Sequence, residues 1–113
     1  MPAISFKVFR EKLENGTKRQ TIRLARKRPI VVGDKLYLYW HQRQKDCRPI
    51  LVNGESVVRC NATARLNWLL LSHPLMAEFE ALRDGFDSAK AFLAFFEEHY
   101  HPQPETLFDI VRW

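Results

Sequence analysis

The stretch "VVGDKLYLYW", residues 31–40, carries the clearest fold signal in the chain. Gly33-Asp34 reads as a turn, and Lys35–Trp40 then alternates strictly. Leu36, Leu38 and Trp40 share one face, and Lys35, Tyr37 and Tyr39 the other, which is the period of a half-buried strand. A strand with one apolar face has to bury it against another layer, so a sheet packed on a core is required.

Upstream lies "NGTKRQTIRLARKRP", residues 15–29, which holds eight cationic or hydroxyl side chains. Ala3–Phe9 alternates loosely as a short strand. Val8–Glu14 also suits a turn or two of helix, with Phe9 and Leu13 four apart on one face. Asn15-Gly16 supplies the left-handed residue at which a helix ends. Thr17–Leu24 reads as extended, with Thr21 and Ile22 β-branched, and Ala25–Pro29 as a cationic loop.

Downstream, His41–Pro49 is polar, and Asn53-Gly54 between "PILV" and "ESVVRCNATARL" is a hairpin signal. The second arm is expected to run towards Leu71. Leu75–Arg83 reads as a helix stopped by Gly85. Ser88–Tyr100 reads as a second, N-capped by Asp87 or Ser88. Phe92, Phe95, Phe96 and Tyr100 recur at helical spacing, the signature of a core face. Pro102 and Pro104 end that helix, and Leu107–Trp113 is a last strand. The fold expected is α+β: one domain over residues 1–113, a small β-barrel of about five or six strands with two or three flanking helices. The C-terminal strand would close the barrel and Trp113 would plug it.

At 113 residues, 46% hydrophobic and 27% charged, the chain has the composition of a globular fold that stands without metal or disulfide staples. Lys7 and Arg10 interrupt the apolar residues near the start, against a signal peptide. Leu69-Leu70-Leu71 falls far short of the roughly 20 residues of a membrane span. Cys47 and Cys60 are expected as free thiols, and the protein as cytoplasmic. The charge is lopsided: residues 1–50 carry 13 Lys and Arg against 4 Asp and Glu, and residues 51–113 carry 5 against 9. A polyanion would dock on the basic half, and nucleic acid is the commonest such partner.

The order of strand, "FREKLENGTKRQTIR", basic loop, "VGDKLYLYW", hairpin, "DGF", aromatic helix and strand resembles an ASCH domain, a branch of the PUA-like superfamily. The resemblance spans nearly the whole chain. It rests on Gly16-Thr17-Lys18, Thr21-Ile22-Arg23, Val32-Gly33-Asp34 and Asp84-Gly85-Phe86 with the helix that follows. It implies the barrel, a cleft lined by Lys18, Thr21 and Arg23, and RNA-related work on RNA or modified bases. One ASCH group, the small bacterial N(4)-acetylcytidine amidohydrolases, uses a lysine, a threonine three residues later and a glutamate before the aromatic helix. The resemblance places Lys18 and Thr21 in the first two roles and Asp84, shorter by a methylene, in the third. The longer basic loop Leu24–Pro29 is a further departure from that group.

Such a set suits acyl transfer. A threonine hydroxyl needs a base beside it, and a lysine serves once burial and neighbouring cations disfavour its ammonium. Arg23 would stabilise an oxyanion, and Asp84 would orient the lysine or pass a proton to the leaving amine. On an ideal strand, however, Lys18 and Thr21 point to opposite faces, so a bulge or the turn after Gly16 has to bring them together. Read instead as an RNA grip, Arg19, Thr21 and Arg23 share a face and Arg26, Lys27 and Arg28 meet phosphates. Tyr39 or Trp40 would stack a base, although Trp40 also shares its parity with the core leucines. Three functions stand side by side: a nucleic-acid or modified-nucleoside binding module, an amidohydrolase or ribonuclease on the same cleft, and a protein-interaction domain working through its acidic helices. No cofactor is expected. His99-x-His101 has no third ligand nearby, and Cys47 and Cys60 form no CxxC pair, so no metal site is assigned.

Overall fold

Elements in the computed structural model, which describes residues 2–113, run β1 (Ala3–Phe6), α1 (Arg10–Glu14), β2 (Gln20–Leu24), β3 (Lys35–Trp40), β4 (Arg48–Pro49), β5 (Val58–Arg59), β6 (Ala62–Asn67), α2 (Trp68–Leu71), α3 (Pro74–Arg83), α4 (Ala89–Tyr100) and β7 (Leu107–Arg112). The class is α+β, but the expected closed barrel of five or six strands is not formed. Seven strands make two separate sheets, and four helices replace the two or three expected. In one sheet β1 runs parallel to β3, which pairs antiparallel with β4 and β5. The other is antiparallel, in the order β2-β7-β6.

The reason lies at two unpaired edges. A barrel would need β1 to pair with β2. In β1, the Pro2 and Phe6 carbonyls accept from Tyr37 and His41, so the even positions face β3 and Ala3 and Ser5 face outward. The two outward carbonyls are taken by side chains instead of a strand. Arg23 Nη2 donates to Ser5 O, and Arg26 Nη2 approaches Ala3 O at 3.5 Å. Arginine side chains thus stand where ladder bonds would have closed the barrel, and they hold the edges apart.

The extra helix arises where the second hairpin arm was expected to continue. Asn67 Oδ1 accepts from Leu70 N at 2.9 Å, an N-cap that turns the chain into α2. Asn53 and Gly54 do form a tight turn, with φ of 50° and 85°, closed by two Val52–Glu55 bonds of 2.9 Å. That hairpin goes no further, because β5 joins β3 and β6 joins β7.

Strand β2 separates two apolar clusters. Ile22, with Ile110 and Phe108 of β7, faces Phe92 and Phe96 of α4 and Trp68 and Leu71 of α2. Val111 faces the opposite way, into a cluster with Ile4, Phe6, Leu36, Leu38, Ile50 and Trp113. Trp113 is buried beside Phe6, edge-on at 6.3 Å, filling the space between sheets rather than plugging a barrel. Ser88 Oγ caps α4 by accepting from Ala91 N at 3.1 Å. Cys47 and Cys60 are free thiols. Among the described residues no helix is long and apolar enough to cross a membrane, and no group of three or more His, Cys, Asp or Glu is placed to hold a metal.

A candidate functional site between two open edges

A cleft of about 280 Å³ opens between β1 and β2 and is walled on its far side by α4. That volume lies just below the roughly 300–1,000 Å³ of ligand pockets. Its floor is polar, with Lys18, Thr21, Arg23 and Asp84; its walls include Phe6, Phe9, Phe86, Phe95 and Tyr100.

Asp84-Gly85-Phe86 explains much of this geometry. Helix α3 ends in a paired capping pattern, with Phe86 N donating to Ala81 O at 2.9 Å and Gly85 N to Leu82 O at 3.1 Å. Gly85 adopts φ +100°, and a Cβ there would lie 3.1 Å from the Phe9 ring and 3.3 Å from Lys18 Cδ. Glycine therefore both permits the turn and lets the lysine stem and Phe9 close over it. The carbonyls left over at the helix end face two ammonium groups: Lys18 Nζ bonds Asp84 O at 2.5 Å, and Lys12 Nζ bonds Gly85 O at 2.6 Å. Asp84 turns its carboxylate back onto the same lysine, Nζ to Oδ1 at 3.1 Å.

Lys18 and Asp84 are only 3% and 5% exposed. Burial pulls the Lys18 ammonium down from its ordinary value; Asp84 opposes the shift, and Arg23 and Lys12 add to it. Burial likewise pushes the Asp84 carboxyl up to about 6, although Lys18, Gln20 and Arg23 pull the other way. Two groups that titrate abnormally and share a cleft are a functional-site signature with a stated cause. Arg23 is pinned from three sides: Nε donates to Thr21 Oγ1 at 2.9 Å, Nη2 donates to Ser5 O, and the guanidinium lies 4.9 Å above the Phe6 ring. Thr21 Oγ1 therefore accepts from a cation and keeps its own proton to donate.

The expected parity conflict between Lys18 and Thr21 does not arise. Strand β2 begins at Gln20, so Lys18 belongs to the turn after Gly16, whose φ is +79°. Its N–H bonds Lys12 O at 2.9 Å, and the side chain enters the cleft from below. Arg19 does not join Thr21 and Arg23 in the cleft as expected. Arg19 is exposed, and its Nε donates to Trp113 O at 2.9 Å outside the cleft.

Of the remaining basic residues, Arg26, Lys27 and Arg28 are exposed on their loop. Tyr39 and Trp40 are half-buried and do not line the cleft; Trp40 packs on the core and stacks on His41 at 4.4 Å. Sequence reasoning missed the walls. Phe95 and Tyr100, read as core, are half-buried and face the cleft, and His99 stacks on Phe95 at 4.0 Å. Phe9 was also missed as a strained position: its φ of 64° is uncommon for a bulky residue. A turn is held there with its ring between the Lys12 and Lys18 ammonium groups, 5.4 Å from each.

Comparison of the chain with protein-family models, curated proteins and solved structures finds no match.

Proposed function

We propose that the cleft binds a nucleobase or modified nucleoside, in the manner of an ASCH domain and in an RNA-related, cytoplasmic setting. The observation that carries this reading is the Lys18–Asp84 pair, buried at the floor of an open cleft whose walls are aromatic. A buried ion pair with one short contact is a poor source of stability; at the base of a ligand-sized opening, polar groups held in place serve recognition. Flat aromatic walls suit a planar ring. The exposed Arg26, Lys27 and Arg28 of the loop after β2 suit phosphates, should the nucleoside be part of a strand.

The same floor supports amide hydrolysis, with N(4)-acetylcytidine as the substrate class. In that chemistry Thr21 Oγ attacks the acetyl carbonyl and its proton passes to neutral Lys18. The oxyanion forms beside the Arg23 guanidinium. The C–N bond then breaks as the leaving amine takes a proton from Lys18 or Asp84. That step frees cytidine; water then hydrolyses the threonine ester, releasing acetate and restoring the hydroxyl.

The test is incubation with N(4)-acetylcytidine followed by chromatographic separation of cytidine. Product from the wild type, and none from a folded Lys18→Ala variant, is expected for the enzyme. Binding of the nucleoside without product leaves a binding module. RNA affinity that falls steeply with salt would extend the site to a strand, because released counterions drive such binding. The absence of both binding and turnover at millimolar nucleoside would reject the reading.

A further inference from the structure

The strand register leaves one backbone group free inside the cleft. In the β2–β7 ladder, Trp113 N bonds Arg19 O and Ala25 N bonds Leu107 O. With the register Gln20↔Arg112 to Leu24↔Phe108, this makes Thr21 and Arg23 the residues that exchange bonds with β7. Gln20, Ile22 and Leu24 therefore turn their N–H and C=O towards the unpaired edge. The β6–β7 side agrees: Trp68 N bonds Thr106 O, which directs Phe108, Ile110 and Arg112 away from β2.

Of these three outward residues only Ile22 lines the cleft. The register turns its N–H and C=O towards the edge that faces β1, where the cleft opens. Among the described residues, no loop or side-chain group bonds its N–H or C=O. A buried strand amide without a partner is uncommon, because leaving it so is costly. A free edge is also a template for whatever can complete it.

Resting on the nucleobase reading above, we propose that Ile22 is the recognition edge of the site: its N–H and C=O pair with an adjacent acceptor and N–H donor on one side of a planar ligand. Such an edge, as in an aminopyrimidine or a lactam, offers what a partner residue offers in a hydrogen-bonded strand pair. A peptide strand does not fit as well. Arg23 and Arg26 already occupy the Ser5 and Ala3 carbonyls on the facing edge, which leaves room for a single donor–acceptor pair. In this arrangement Ile22 reads the ring edge, the aromatic walls hold its faces, and Lys18, Thr21 and Asp84 meet its substituent.

The experiment replaces the Ile22 amide by an ester, in protein assembled by ligation at Cys47, with an ester at Thr21 as the control. Binding of cytidine and N(4)-acetylcytidine and the thermal midpoint are measured for each. The ester at 22 removes the Ile22 N–H and weakens only the Thr21 carbonyl as an acceptor in the ladder, so it is expected to lower the midpoint less than the ester at 21 and to weaken binding by about tenfold, the loss of one hydrogen bond. The ester at 21 is expected to lower the midpoint. Unchanged binding by the ester at 22 overturns the edge assignment while leaving the nucleoside site standing. A midpoint lowered as much as by the ester at 21 overturns it as well, since the N–H would then be bonded within the fold. Should the wild type bind neither nucleoside, the functional reading fails, and 2-aminopyrimidine decides the edge alone. A shift of the Ile22 amide resonance larger than those of Thr21 and Arg23 supports it, and no shift overturns it.

Discussion

Two ion pairs, one partly and one almost wholly buried, lie on either side of Gln20, and they are built differently. On the side away from the cleft, Arg112 grips Glu80 through one Nη2 at 2.9 Å to each carboxylate oxygen, and its Nε donates to Gln20 Oε1 at 3.0 Å. On the cleft side, Lys18 meets the Asp84 carboxylate through a single oxygen at 3.1 Å, with a long Gln20 contact of 3.4 Å behind it. The first pair spans from α3 to β7, and the arginine remains partly exposed. The second is almost wholly buried yet borders an opening large enough for a ligand. The contrast teaches where the molecule uses charge for architecture and where it keeps charge available.

Breaking the architectural pair should have the largest effect. Arg112→Ala leaves Glu80, 1% exposed, without its partner, and such a loss costs about 3–5 kcal/mol. Urea denaturation measures it; a loss below about 1 kcal/mol would mean the pair is no strut. Removing both members of the cleft pair should do the opposite. Lys18→Met with Asp84→Leu is expected to leave stability equal or higher, since apolar replacement of buried pairs is often neutral or stabilising by about 1–4 kcal/mol. Nucleoside binding or turnover should be lost. A strongly destabilised double variant would make the two pairs alike and remove the comparison.

A smaller effect appears with pH. The folded Asp84 carboxyl titrates near 6, above the roughly 3.9 of an unfolded aspartate. Between those values the folded chain holds more protons than the unfolded one, so this group's contribution to stability declines as pH rises from about 4 to about 6. A carboxylate whose pKa is lowered by pairing does the reverse. Denaturation at several pH values should show this slope in the wild type and not in Asp84→Asn. The smallest effect is expected outside the cleft: Tyr39→Phe should alter binding of a free nucleoside less than twofold, about 0.4 kcal/mol at most. A larger change by equilibrium dialysis would move the site towards β3.

Much of this was legible in the sequence because it is local. Alternation over Lys35–Trp40 marks β3, Ser88 and the phenylalanine spacing mark α4, and Gly85 marks the end of α3. Lys18, Thr21, Arg23 and Asp84 were singled out on resemblance, and they meet in one cleft. What sequence could not carry is non-local. Whether β1 pairs with β2 depends on two arginine side chains reaching carbonyls 18 and 23 residues away in sequence. Gln20 reads as an ordinary polar strand residue, yet it is 1% exposed, and its amide bonds Asp84 and Arg112 from two distant segments. Arg19 went astray because the strand starts at Gln20, three residues later than expected, and the Arg19 side chain turns to the Trp113 carbonyl instead of the cleft.

An NMR titration of the wild type with N(4)-acetylcytidine tests the central claim most directly. The account predicts saturable shifts confined to the amides around Lys18, Ile22, Asp84, Phe86 and Tyr100, with those around Glu80 and Arg112 moving much less. Shifts gathered instead on the 26–28 loop or at Arg19, or none at millimolar ligand, would contradict it.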